Sequence, residues 1–300
     1  HKSLSRITCV RSTTKPGWGG LGYLLNHHGM LKSEATVANI PASHTGAERV
    51  WYGSAAAAEA HDMDWLTQHL DPSEDVAIKS LTNDWTILVL AGPKARDVLS
   101  AVSRQDWSAK AFPWLSVREA YIGIAPAVVM SVSFSGELAY EIHVPNAQLY
   151  SAYLALREAG KSHGLHLFGS RAVEAMRLEK GYLHWKSDIL TEFDPFETGL
   201  DRFVKMDKAD FIGKTALAEL IKTGPRRKLV TLTVDCKDRP AHGGASIMQN
   251  GKVVGTVTSG GFGHRIDKNL AYAFVEPALS GDTDDLRIDM LGVLIGCAII

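Results

Sequence analysis

The stretch Ala127–Val144, AVVMSVSFSGELAYEIHV, decides how the chain is read. Two apolar, β-branched runs, Ala127 to Phe134 and Leu138 to Val144, flank Ser135-Gly136-Glu137, which is turn chemistry between strands. With Val117 to Tyr121 just upstream, the segment predicts consecutive antiparallel strands. Downstream the apolar spacing lengthens to that of a helix. Leu149, Tyr153 and Leu156 form one stripe, and Val173, Met176 and Lys180 mark another after a Ser170 cap. Upstream, Trp85 to Leu90 reads as a strand and Gly92-Pro93 opens a helix through Val102, proline being suited to the first helical position. The mixture predicts an α+β chain.

Toward the N-terminus, Thr13 to Gly22 reads as a loop, and Tyr23 to Leu25 and Glu34 to Ile40 as strands around a His27-His28-Gly29 turn. Val50 to Tyr52 is a further strand, and Ser54 is placed to cap a helix that runs to Leu70 and stops at Asp71-Pro72. After Thr223-Gly224-Pro225 the texture changes to short strands: Leu229 to Val234, Ala245 to Met248, Lys252 to Thr258 and Leu270 to Val275. Asn250-Gly251 is a strong hairpin turn, and the region predicts a small β-barrel or sandwich. The chain opens on His1, with Leu4 to Ile7 reading as the tail of a helix, so a fragment of a longer protein is expected.

Composition excludes several classes. The 32 Lys and Arg against 33 Asp and Glu leave a net charge of -1, so nothing draws the chain toward nucleic acid or an anionic membrane, and an anionic ligand must be held locally. Cys9, Cys236 and Cys297 are odd in number and far apart, which argues against a disulfide framework or a zinc site and for a reducing compartment. The longest apolar run, Leu291 to Ile300, is about half of what a spanning helix needs. No membrane association and no metal are expected, and a cytoplasmic location fits, or the mitochondrial matrix in a eukaryote.

Some motifs mislead. Gly17-Trp18-Gly19-Gly20-Leu21-Gly22 matches a dinucleotide fingerprint by letter, but no buried strand precedes it and no helix follows, so it reads as a glycine loop. His27 and His28 are adjacent on a turn and cannot easily share one ion, and His61 and His69 lie two helical turns apart.

Two carboxylates stand out. Glu141 lies between Tyr140 and Ile142 in a run that otherwise reads as core, four positions beyond Glu137 on what alternation makes the same side. It either pairs with a buried arginine such as Arg177 as plain structure, or accepts two hydrogen bonds from an amidine-like edge such as that of a pterin. Glu34 shares one face of an alternating strand with Thr36 and Ala38, and such a position is either solvent-facing or directed at a ligand.

These residues, with Gly29–Asn39, Leu88–Leu99, Phe134–Glu141, Met176–Tyr182, Pro195–Leu200, Asp210–Lys214 and Gly255–Ala273, make the chain resemble the folate-binding region of the dimethylglycine and sarcosine dehydrogenases. That region is similar in turn to the glycine-cleavage T-protein, an aminomethyltransferase. The resemblance implies a cloverleaf of two antiparallel sheet-and-helix lobes plus a C-terminal β-barrel. The folate domain would span 1–224, with lobes near 1–83 with 184–224 and 84–183, and the barrel 225–300. It implies that Glu34 is the catalytic carboxylate beside the reactive nitrogens of tetrahydrofolate, that Thr36 lies near it, and that Glu141 holds the pterin. Phe134 and Leu21 stand where relatives carry tyrosines, which implies either weaker folate binding or a pocket built from neighbours such as Tyr23 or Tyr140. Arg177 and Arg265 are candidates for the anionic tail of the folate, and the bland reading of Arg177 is an ion pair with Glu179 or Glu141.

The implied activity is one-carbon transfer from a methylated-amine-derived iminium to tetrahydrofolate, with FAD supplied only through a domain or subunit absent from this chain. Partners would be a folate, a methylated amine and that flavin-binding part. Two other classes stay open: a folate-binding regulatory or RNA-modification accessory protein, and a folded fragment that binds nothing.

Overall fold

Alternation of burial along short strands, predicted for the central stretch, is what organises the computed structural model, which describes residues 2–11, 14–41, 49–281 and 285–300. The chain forms two units, His1–Gly22 with Glu34–Phe168, and Tyr23–Ser33 with Gly169–Ile300.

In the first unit, α1 (Lys2–Ile7) precedes a three-stranded sheet built from β1 (Gly19–Leu25), β2 (Leu31–Ile40) and β3 (Arg49–Ser54), in the order β1-β2-β3. The chain passes between the units within β1 and β2. After α2 (Glu59–Gln68) comes a four-stranded antiparallel sheet of β4 (Trp85–Ala91), β5 (Val117–Ile122), β6 (Ala125–Met130) and β7 (Ala139–Pro145), ordered β4-β7-β6-β5. Two helices, α3 (Ala95–Val102) and α4 (Leu149–Gly160), cover one of its faces. There Leu90, Tyr140, Ile142 and Val144 pack with Val98 and Leu99 of α3 and Ala152 and Leu156 of α4. Fully burying a Leu or Val side chain is worth about 1.5–3 kcal/mol, so this layer holds the sheet to its helices. The opposite face carries Val117, Val128 and Met130, and these pack on Ala38 and Ile40 of β2.

The second unit holds α5 (Ser170–Lys180), α6 (Lys214–Thr223) and a closed barrel of β8 (Lys228–Val234), β9 (Ser246–Gln249), β10 (Lys252–Gly263), β11 (Lys268–Val275), β12 (Arg287–Asp289) and β13 (Leu294–Ile299). The barrel order is β10-β11-β8-β13-β12-β9, which leaves no open edge. Helix α5 lies against β10 and β11, and its Leu178 packs with Leu270 and Tyr272. The approach is close: a Cβ on Gly261 would lie 2.8 Å from Leu178 Cδ1, so the leucine side chain would have to shift to admit one.

The structure departs from the sequence reading in several places. Strand β6 ends at Met130, not Phe134, because the Ser131 carbonyl accepts from the Leu115 amide and not from Ser116 opposite it, which breaks the ladder, and the link then runs irregularly through Gly136 at φ +78°. Glu137 sits in that link, so it does not share a strand face with Glu141. Gly19 to Gly22 belong to β1, not to a loop, which again denies the glycine run its dinucleotide context. Ser54 is the last residue of β3, paired with Ala35, and the turn leading into α2 uses no side-chain cap. The apolar tail around Leu294 to Ile299 is the strand that pairs with β8 and β12 to close the barrel. Among the described residues no helix is long and apolar enough to cross a membrane, and no cluster of His, Cys, Asp and Glu could hold a metal ion.

Candidate functional site

Period-two alternation sends Tyr140, Ile142 and Val144 of β7 into the helix-covered core and leaves Ala139, Glu141 and His143 on the other face. Register places two rows of side chains across that face. One runs Val89, Glu141, Met130, Val117, and the next runs Ile87, His143, Val128, Glu119. Burial falls steeply along both rows. Met130 and Val128 are covered, at 1% and 3% exposure, whereas Val89 and Ile87 on the edge strand β4 are 53% and 48% exposed. Glu141 therefore stands where the covered half of the face ends and an open apolar half begins. Its side chain is 29% exposed, and among the described residues its carboxylate makes no hydrogen bond. The nearest basic atom is His143 Nε2, 3.4 Å away.

The facing strand carries the second carboxylate. Glu34, Thr36, Ala38 and Ile40 alternate onto one face of β2, the first two half-buried and the last two buried. Because Ala38 and Ile40 pack on Val128 and Met130, the face bearing Glu34 and Thr36 is the one turned toward the sheet of Glu141. Thr36 lies opposite Gly53 in the ladder, and a Cβ built there would meet only Thr36 O at 3.9 Å, so no side chain fills the space beside it. Trp51, paired with Ala38, sets its ring edge-on to His143 at 5.6 Å and to Trp85 at 5.0 Å, forming an aromatic wall.

An exposed apolar strip, a partly exposed carboxylate at its margin and a second carboxylate on the facing strand thus lie on the same side of the four-stranded sheet. Phe134 is 38% exposed in the irregular link that leads into β7. Tyr140 is fully buried on the opposite face, where burial pushes its phenol up against the pull of Arg96, so it offers no hydroxyl beside Glu141. Tyr23 is likewise buried, in the second unit, with its ring 5.2 Å from Phe203.

The two arginines belong to the second unit. Arg177 is 1% exposed and pairs with neither Glu179 nor Glu141. It donates to Asp188 at 2.5 Å, to Glu174 at 2.7 and 2.9 Å, and to the Tyr182 carbonyl at 3.1 Å, and it lies over the Tyr272 ring. Asp188 also accepts from the His184 amide and from the Thr258 and Ser259 hydroxyls, pinning the segment after α5 to the barrel. Glu179 instead accepts the backbone N–H groups of Arg265 at 2.8 Å and Ile266 at 3.1 Å, fixing the exposed turn that carries Arg265. A half-open cleft of about 480 Å³ in the same unit is lined by Lys186, Phe193, Arg227, Gly255, Thr256 and Phe274 among others. Among the described residues no carboxylate lines it.

The sequence singles out Glu34, Thr36 and Glu141, which the structure places on facing strands, but not their neighbours His143, Trp51, Ile87 and Val89. For His143 the signal was available, since a residue two beyond Glu141 on a strand shares its face.

Comparisons with known proteins accord with this architecture. Residues 1–208 match the GCVT N-terminal domain, and 227–300 match the glycine cleavage T-protein C-terminal barrel domain. The chain is 34% identical over 280 residues to the mitochondrial dimethylglycine dehydrogenase of Homo sapiens, covering 93% of this chain and 32% of that protein. It is 31% identical over 290 residues to the mitochondrial sarcosine dehydrogenase of Homo sapiens, covering 91% and 32%. It thus spans about a third of the length of these curated relatives. The crystal structure of glycine cleavage system aminomethyltransferase T from Bartonella henselae matches with a TM-score of 0.85 at 24% identity, covering 99% of this chain and 79% of that one, so the two share a fold. With both domain models matched in order along a chain of that fold, the protein belongs to the glycine cleavage T-protein family.

Proposed function

We propose that this chain is the tetrahydrofolate-binding, one-carbon-transferring module of a dimethylglycine or sarcosine dehydrogenase-type flavoenzyme. One observation carries the reading: Glu141 presents an open carboxylate at the margin of an apolar sheet face, and the facing strand carries Glu34 and Thr36. That arrangement fits a reduced pterin, with the 2-amino group and the neighbouring ring N–H on Glu141 and the ring over Val89 and Ile87. Phe134 borders the same strand without a hydroxyl to offer. Tetrahydrofolate, when bound, supplies the nucleophilic nitrogen that takes up the carbon. Glu34 holds fixed negative charge in a partly dry site, where it stabilises developing positive charge and accepts or steers a proton.

The methylated amine, the flavin-binding domain or subunit that oxidises it with FAD, and a matrix location in a eukaryote are parts of the same proposal, supported by the dehydrogenase relatives. So is a boundary between folate domain and barrel near residue 225. Arg265 is proposed as a ligand for the anionic folate tail, and Arg177 as the residue that holds the segment around Asp188.

Calorimetric titration with 5-formyl-tetrahydrofolate tests the binding role. Truncating a desolvated, hydrogen-bonded charge costs about 2–5 kcal/mol, and the partial exposure of Glu141 favours the lower end, a loss of roughly thirty-fold or more in Glu141→Ala. Equal affinities for parent and variant would remove the assignment. Glu34→Gln should keep affinity and lose formation of methylene-tetrahydrofolate in the whole enzyme.

A further inference from the structure

His143 is a group beside Glu141 that the proposed chemistry does not use. It lies in β7 two residues beyond Glu141 and is 3% exposed, and its Nε2 is buried and has no hydrogen-bond partner among the described residues. Most buried polar atoms in native folds are hydrogen-bonded. The nearest acceptor is Glu141 Oε2 at 3.4 Å, close enough for attraction but outside hydrogen-bond geometry. The ring cannot turn away. Trp51 stands edge-on to it at 5.6 Å, Val128 pairs beside it in β6, and Ile87 pairs on its other side in β4. Of the two groups, then, the imidazole is clamped and the carboxylate is free to turn.

We propose that His143 is a positioning residue for ligand binding at Glu141, its Nε2–H closing a hydrogen bond to one carboxylate oxygen as the ligand engages the carboxylate. This rests on the proposed folate role of Glu141. A carboxylate has about four acceptor positions, so one oxygen can take the bond from His143 while others face the ligand's paired donors. A donor behind the carboxylate holds it coplanar with an incoming amidine edge. Without that donor the carboxylate must be ordered by the ligand itself, which lowers affinity.

Two measurements test this. In the parent chain with 15N-labelled histidine, adding 5-formyl-tetrahydrofolate should move the His143 Nε2 resonance as its hydrogen bond forms, and an unmoved resonance at saturation would overturn the proposal. No variant is needed, so a folding defect cannot obscure the result. In parallel, calorimetry should show His143→Phe about ten-fold weaker, since hydrogen bonds to charged groups are the stronger kind. His143→Gln, which keeps an amide donor, should lie within about three-fold of the parent. In a Glu141→Ala background, His143→Phe should cost nothing further. If Glu141→Ala loses affinity while His143→Phe binds like the parent, the positioning role is wrong and the folate reading stands. If Glu141→Ala binds like the parent, the folate reading itself has failed.

Discussion

Replacing Asp188 by alanine should unfold the second unit far more easily than its small size suggests. Asp188 is 0% exposed and accepts four hydrogen bonds, from Arg177 at 2.5 Å, the His184 amide at 2.9 Å, Thr258 at 2.5 Å and Ser259 at 2.6 Å. Its loss leaves the Arg177 guanidinium buried, with Glu174, a half-exposed carboxylate, as the remaining counter-charge. Removing one partner of a buried pair costs about 3–5 kcal/mol, because the stranded charge cannot regain its hydration. With a urea slope of about 3 kcal/mol/M, the unfolding midpoint should fall by about 1–1.7 M. Asp188→Asn keeps one acceptor oxygen and should fall between parent and alanine variant. Equilibrium urea unfolding followed by circular dichroism reads both. A midpoint for Asp188→Ala within about 0.3 M of the parent, equivalent to about 1 kcal/mol, would show that the network carries little of the stability and that Arg177 is available for another role.

Other outcomes follow from the same packing. Burial pushes the Glu197 carboxyl up, but hydrogen bonds from Arg226 bring it net below its ordinary 4.5. The stability this pair supplies is present above that value and is lost as pH falls through the depressed folded value. Arg226→Met should therefore be less stable than the parent at pH 7 by about 1–3 kcal/mol, because Glu197 keeps the backbone N–H groups of Asp194 and residue 226 but loses its bonds from the guanidinium, and the gap should narrow below pH 4.5 in acid-titrated melts. Cys297 is buried and its thiol is pushed up to about 12, mainly by burial and also by Asp235, while Cys9 is fully buried. A colorimetric thiol reagent at pH 8 should label Cys236 in the native protein and reach the other two only on unfolding. Val89→Lys, on the open apolar floor, should leave the melting temperature within a degree or two and weaken folate binding, whereas equal weakening and melting loss would make Val89 structural.

Much of the fold was legible because each strand buries one face. Alternation in Leu138 to Val144 marked β7, and the change in spacing after it marked α4. The closing strand β13 was not legible as a strand, because Leu291 to Ile300 lacks a clean alternation and only the ladder to β8 explains it. The helix cap at Ser54 failed for a tertiary reason, since pairing with Ala35 holds that residue in β3. At the site, Glu34 and Glu141 could be picked out as charges in apolar strands, but what makes Glu141 distinctive could not. That depends on β4 being the edge strand, which leaves Val89 exposed beside Glu141 while Met130 is buried on its other side. Strand order is a property of topology, and no local run of residues encodes it. The partners of Arg177 were missed for a related reason, as Asp188 reaches it only because the segment after α5 turns back on the helix.

A crystal of the chain soaked with 5-formyl-tetrahydrofolate is the most direct measurement. Density for the pterin over Val89 and Ile87, with its 2-amino edge within hydrogen-bond distance of Glu141 and its reactive nitrogens toward Glu34, is the expected result. Pterin density in the cleft between Phe193 and Phe274, with Glu141 left facing water, would contradict it.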